Sequence, residues 1–111
     1  KILGRTSVDI LKSGGYKLSA LEIEEVLREH PSIAEVAVVG VPDETWGERV
    51  VACVIARPGH AVDEANVRDF AKQKLASYKV PKSVVSMAEL PRNAVGKVIK
   101  PELVRSLVAR G

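Results

Sequence analysis

The run Val50-Val51-Ala52-Cys53-Val54-Ile55-Ala56 sets the tightest limit on what this chain can fold into. It carries no charge and is rich in β-branched side chains, which suit a pleated strand. A strand with one wet face alternates polar and apolar residues. This run does not alternate, so it needs cover on both faces. A second apolar stretch, Ile33 to Val41, precedes it, and Pro42-Asp43-Glu44-Thr45-Trp46-Gly47 connects the two. The spacing predicts strands over 33–41, 48–56 and 83–87.

The helices that supply the cover are announced by their starts. Ser19 and Glu22 have the spacing of a capping box, with Leu18 and Ile23 as its hydrophobic staple. Ile23, Val26 and Leu27 then line one face, and His30-Pro31 ends the helix. Glu22 reads as a cap rather than a catalytic acid. Arg57-Pro58-Gly59-His60 is a turn, and Asp63 caps a second helix with Val67, Phe70, Ala71 and Leu75 on one face. A closing helix starts at Pro101 and uses Leu103, Val104, Leu107 and Val108. At the other end, Ile10-Leu11 and Tyr16-Lys17-Leu18 form two short strands around Ser13-Gly14-Gly15. The expected fold is α+β: a small domain with a central three-stranded β-sheet packed by helices, plus an N-terminal β-hairpin.

At 111 residues the chain fits one domain. Its one cysteine, Cys53, excludes an internal disulfide, and His30 and His60 lack ligand-spaced partners, so no metal site is expected. No apolar run is long enough to span a bilayer and no secretory signal pattern is present, so no membrane partner and a cytoplasmic location are expected. Charge is uneven. Residues 1–70 hold 8 basic and 12 acidic side chains, whereas residues 71–111 hold 9 basic and 2 acidic. A basic end suggests an anionic partner, either nucleic acid or nucleotide phosphate.

The basic end contains Pro91-Arg92-Asn93-Ala94-Val95-Gly96-Lys97. Asn93 and Gly96 favour tight backbone conformations, and the loop can carry Lys97 out on a mobile tip as a point charge for a phosphate or carboxylate oxygen. From the residues alone, a solvated surface loop is the commoner outcome.

Pro-Arg-Asn-x-x-Gly-Lys near a C-terminus resembles the last core motif of the adenylate-forming superfamily. Gly4-Arg5, Asp9, Lys12, Gly14-Gly15, Lys17 and Glu22-Ile23-Glu24 resemble that superfamily's eighth motif at the matching distance upstream. Within it, this stretch and Gly40-Val41-Pro42-Asp43-x-x-Trp46-Gly47-Glu48-Arg49-Val50 are similar to the malonyl-CoA synthetases. The resemblance implies an AMP-forming acid–CoA ligase using ATP, as Mg-ATP, and CoA, on malonate or another short acid. It implies that residues 1–8 are a hinge and 9–111 a mobile C-terminal domain, whose large N-terminal partner domain is not in this stretch. Many relatives have Gly-Arg-x-Asp-Asp. This chain has one residue more, and counting back from Glu22 puts the hinge near Ser7–Val8.

By the same resemblance Lys97 is the catalytic adenylation lysine, and the Gly14-Gly15 turn lines the pantetheine tunnel. Arg5 and Lys17 lie near the nucleotide and hinge, and Tyr78, Lys79 and Lys82 lie where some members hold the CoA nucleotide. An exposed Lys97 is also a target for a lysine acetyltransferase and deacylase. Alone, the fragment is expected not to turn over. The competing readings are a small basic binding module for nucleic acid or a partner protein, and the C-terminal domain of another adenylating enzyme, such as a peptide synthetase. A pair of motifs at opposite ends of one domain favours the ligase, without nucleic acid as partner.

Overall fold

The computed structural model describes residues 10–45 and 47–110. The hairpin is β1 (Ile10–Ser13) and β2 (Tyr16–Ser19), followed by α1 (Ala20–Arg28), β3 (Ile33–Asp43) and β4 (Gly47–Ala56). Then come α2 (Glu64–Lys74), a 3₁₀ turn at Ser77–Lys79, β5 (Ser83–Ser86) and α3 (Lys100–Arg110). Arg5 and the proposed hinge at 1–8 lie outside the described residues, as does Trp46.

Strand β4 is the middle of the sheet. Strand β3 runs antiparallel along one edge of it, from Ile33↔Ala56 to Asp43↔Gly47. Strand β5 pairs with Val51–Val54 and runs parallel. The hairpin joins through Ser13↔Gly47, which makes a five-stranded sheet of the expected three strands and hairpin.

Successive side chains of β3 and β4 feed two separate cores, as a doubly covered sheet requires. Val36, Val38, Val50, Ala52 and Val54 pack with Leu18, Ile23, Leu27, Val67 and Ala71 under α1 and α2. Ala37, Val39, Val41, Val51 and Cys53 pack with Leu90 and Leu103 under α3. Cys53 is fully buried.

The caps form as expected, with a difference at the first. Ser19 Oγ accepts from the Glu22 amide at 3.3 Å, and Asp63 accepts from the Asn66 amide at 3.2 Å. The Glu22 carboxylate, however, turns away to Lys79, so the reciprocal half of the capping box is replaced by an ion pair. Val108 is exposed rather than packed. It lies about 140° around the helix from the buried Leu103, beyond the covered stripe.

Glycine allows one close approach that positions the hairpin. A Cβ on Gly40 would stand 3.0 Å from the Glu48 carboxyl and 3.2 Å from Leu11 Cδ2. In that space Glu48 accepts from the Lys12 amide at 2.8 Å, tying β1 to β4.

Candidate functional site

The lysine loop is a small closed hairpin. Arg92 and Val98 form a bridge, the Asn93 amide donates to the Lys97 carbonyl, and the Ile99 amide donates to the Pro91 carbonyl, both at 2.9 Å. Asn93 shapes the turn from inside: its Oδ1 accepts from the amides of Val95 and Lys97, each at 3.0 Å. Gly96 takes φ 89°, which only glycine adopts freely. Arg92 Nη1 donates to the Gly96 carbonyl at 2.9 Å, and Nη2 pairs with Glu35 on β3. The sequence suggested a mobile tip; the structure shows a tied one, because Asn93 and Arg92 satisfy the loop's backbone locally. Lys97 is exposed. No described residue bonds its ammonium.

Part of the basic end is matched from within. Lys74 pairs with Glu29 at 3.5 Å, Lys79 with Glu22 at 3.0 Å, Arg92 with Glu35 and Lys100 with Glu24 at 2.7 Å. Each anion comes from α1, its C-terminal cap or β3. The charge imbalance between the two halves of the sequence is therefore in good part an internal complementarity, and Lys97 stands outside it.

The glycine turn joins β1 and β2 at the hairpin end of the sheet. Gly14 and Gly15 take φ 60° and 86°, the two positive values that a two-residue turn matched to strand twist demands. A Cβ on Gly15 would meet nothing within 4 Å, so the backbone is open to an approaching chain there. Tyr16 follows the turn and stacks on Tyr78. Lys79 Nζ is 5.9 Å from the Tyr78 ring centroid and is held by both oxygens of Glu22. The hydrogen bond to Glu22 raises the Lys79 pKa above its ordinary 10.5, against a smaller opposing effect of desolvation. Lys17 is exposed on β2. Lys82 is half-buried, and its amide donates to the Val50 carbonyl at 2.8 Å.

The structure thus brings Gly14, Gly15, Tyr78 and Lys79 towards one patch through the Tyr16 stack. Leu11 and Leu18 of the hairpin belong to the α1/α2 core, whereas Val98 and Leu90 beside the lysine loop belong to the α3 core. Sequence reasoning missed Glu24. It is 4% exposed and accepts from the Val38 amide at 2.8 Å. The available signal was its place at i+4 from Ala20 and i−3 from Leu27, in line with the apolar stripe, where a bare charge has no reason to sit.

A small α+β domain that carries a lysine loop and a glycine turn defines the class. Residues 22–97 match the AMP-binding enzyme C-terminal domain, and the chain belongs to that family. It is 55% identical over 106 residues to malonate–CoA ligase ACSF3, mitochondrial, of Bos taurus, covering 96% of this chain and 18% of the relative. It is 49% identical over 116 residues to malonate–CoA ligase of Arabidopsis thaliana, covering 96% and 19%. ATP-bound MatB from Rhodopseudomonas palustris superposes with a TM-score of 0.87 at 37% identity, covering 90% of this chain and 20% of that one. The chain spans about a fifth of the length of the relatives it matches.

Proposed function

We infer that this chain is the C-terminal domain of an AMP-forming acid–CoA ligase, with malonate or another short acid as substrate. The observation that carries the reading is Lys97: an ammonium that no described residue bonds, on a tied loop, while Lys79, Arg92 and Lys100 are paired. The family and the names of its relatives supply the reaction class. In that reaction the acid carboxylate attacks the α-phosphorus of ATP and pyrophosphate leaves. The CoA thiolate then attacks the acyl carbon and AMP leaves. Lys97 would hold its positive charge against the oxygens of the acid and the α-phosphate as negative charge builds there. Its tied loop limits the reorganisation this contact needs.

The Gly14-Gly15 turn would line the path of the pantetheine arm, where a missing side chain leaves room. Tyr78, Lys79 and Lys82 would meet the CoA nucleotide, and Arg5 and Lys17 would lie near the nucleotide and hinge. The large N-terminal domain would be the partner, with residues 1–8 as the hinge between the two. Magnesium would travel with the ATP phosphates. The described residues contain no group of three or more His, Cys, Asp or Glu suited to hold it. A lysine acetyltransferase and deacylase acting at Lys97 belong to the same reading.

The test uses the full-length ligase. Lys97→Ala should lower ATP–pyrophosphate exchange by roughly 3 kcal/mol in barrier and leave thioester formation from supplied acyl-adenylate largely intact. Gly15→Leu should do the converse, since its side chain would stand in open space beside the turn. Equal loss of both half-reactions in each variant would contradict the assignment.

A further inference from the structure

The loop that bears Lys97 is rooted in a second lysine whose surroundings are quite different. Lys100 is the first residue of α3, and its side chain is only 11% exposed. Its ammonium is 2.7 Å from Glu24 Oε2, on a carboxylate 5% exposed. The same oxygen accepts from the Val38 amide on β3, and Arg28 approaches Oε1 at 3.7 Å. A charge pair this enclosed is rarely justified by stability alone, because desolvating both ions offsets most of their attraction. It does fix geometry, because neither partner can leave without stranding the other.

The geometry points to Glu24 and Lys100 as a positioning pair for Lys97, one that sets where the lysine loop stands relative to α1 and β3. Only Val98 and Ile99 separate Lys97 from the anchored Lys100. The strand bridge Arg92↔Val98 and the bond from Ile99 to Pro91 carry the constraint through the loop. Arg92 adds an outer clasp to Glu35, but that pair is more exposed, so the buried pair is the firmer anchor. The pair also links the helix that follows the glycine turn to the helix that follows the lysine loop. Neither Lys100 nor Glu24 touches substrate in this account; both act through Lys97. The inference rests on the adenylating role given to Lys97.

The test measures both half-reactions in the full-length ligase with Lys100→Met, Lys100→Arg and, as reference, Lys97→Ala. A shift of about 1 Å in a catalytic group can cost on the order of a hundredfold. Lys100→Met should therefore cut the exchange kcat by roughly tenfold or more with a near-constant KM for ATP. Thioester formation from supplied adenylate should stay within about threefold, and Lys100→Arg should recover most of the exchange. Loss of both half-reactions in the same proportion, or loss of neither, would overturn the proposal. If Lys100→Met does not fold, Glu24→Gln/Lys100→Met removes both charges while keeping an acceptor for the Val38 amide, and is judged by the same ratio. Should that double variant also fail to fold, the pair is a stability element and the proposal falls. If Lys97→Ala keeps full exchange, the role of Lys97 is wrong whatever Lys100 does. If Lys97→Ala loses exchange while Lys100→Met damages both halves equally, only the positioning role is wrong.

Discussion

The rings of Tyr16 and Tyr78 lie face to face, with centroids 4.2 Å apart and planes 16° from parallel. One follows the glycine turn and the other sits in the 3₁₀ turn after α2, so the stack docks a basic segment onto the hairpin. Both rings stay partly open, Tyr16 at 51% and Tyr78 at 40% exposure. Tyr78→Ala should raise the KM for CoA severalfold, leave pyrophosphate exchange unchanged and lower unfolding free energy by about 1 kcal/mol. Tyr78→Phe should keep all three. Steady-state kinetics with varied CoA, paired with urea melts, checks this. An unchanged KM in the alanine variant would remove the stack from the CoA path.

Asn93 makes a sharper prediction for the lysine loop. Its Oδ1 holds two amides, and two neutral hydrogen bonds are worth about 2 kcal/mol together. Asn93→Ala should speed hydrogen exchange at the Val95 and Lys97 amides and lower the adenylation kcat roughly tenfold. The melting temperature should fall by only a few degrees, because water replaces part of the lost bonding in an exposed loop. Native-state exchange by NMR or mass spectrometry reads the first effect directly, and unchanged protection would show that the turn holds without Asn93.

The Lys79–Glu22 contact gives a pH signature. Folding raises the Lys79 pKa above 10.5, so the folded state binds its proton more tightly than the unfolded chain does. The resulting stability is fully present below the unfolded value and is lost as pH rises through the folded one. The difference in melting temperature between the parent and Lys79→Met should therefore be flat from about pH 7 to 9 and shrink above about pH 10.5. Melts across that range check it, and a difference already fading near pH 8 would point to another group.

Acetylation separates Lys97 from Lys100. Acetylating Lys97 removes its charge and should silence adenylation without lowering the melting temperature, with recovery on treatment with a deacylase. The enclosed Lys100 should resist acetylation in the folded protein. Site-resolved mass spectrometry with an exchange assay decides it. Full exchange by protein stoichiometrically acetylated at Lys97 would end the role proposed for that residue.

Much of this architecture was legible because it is written locally. The unbroken apolar run at 50–56 needs cover on both sides, and the two cores deliver it. Ser19, Asp63 and Gly14-Gly15 announce their helices and turn through bonds reaching only a few residues. Other features depend on partners far along the chain. Glu22 looks complete as a cap until Lys79 arrives from another segment. Nothing near Gly40 hints that Glu48 and Leu11 will fill the space its missing side chain leaves. Glu24 breaks the local pattern, which marks it as odd, but the pattern does not name Lys100. The parallel pairing of β5 with β4 is likewise a product of the helical crossover between them, not of either strand's composition.

The internal matching of cations also governs how the domain meets ionic surroundings. A lysine already neutralised within its own fold has few counterions to surrender when a polyanion approaches. Of the 9 basic residues in 71–111, Lys74, Lys79, Arg92 and Lys100 are spoken for by anions from the first part of the chain. Binding to duplex DNA should then show a slope of log affinity on log salt no steeper than about −4.5, against about −8 for nine independent contacts. Such a domain can pass close to phosphates, engage them with the cations it has not matched internally, Lys97 among them, and come away again without the full drag of a polycation.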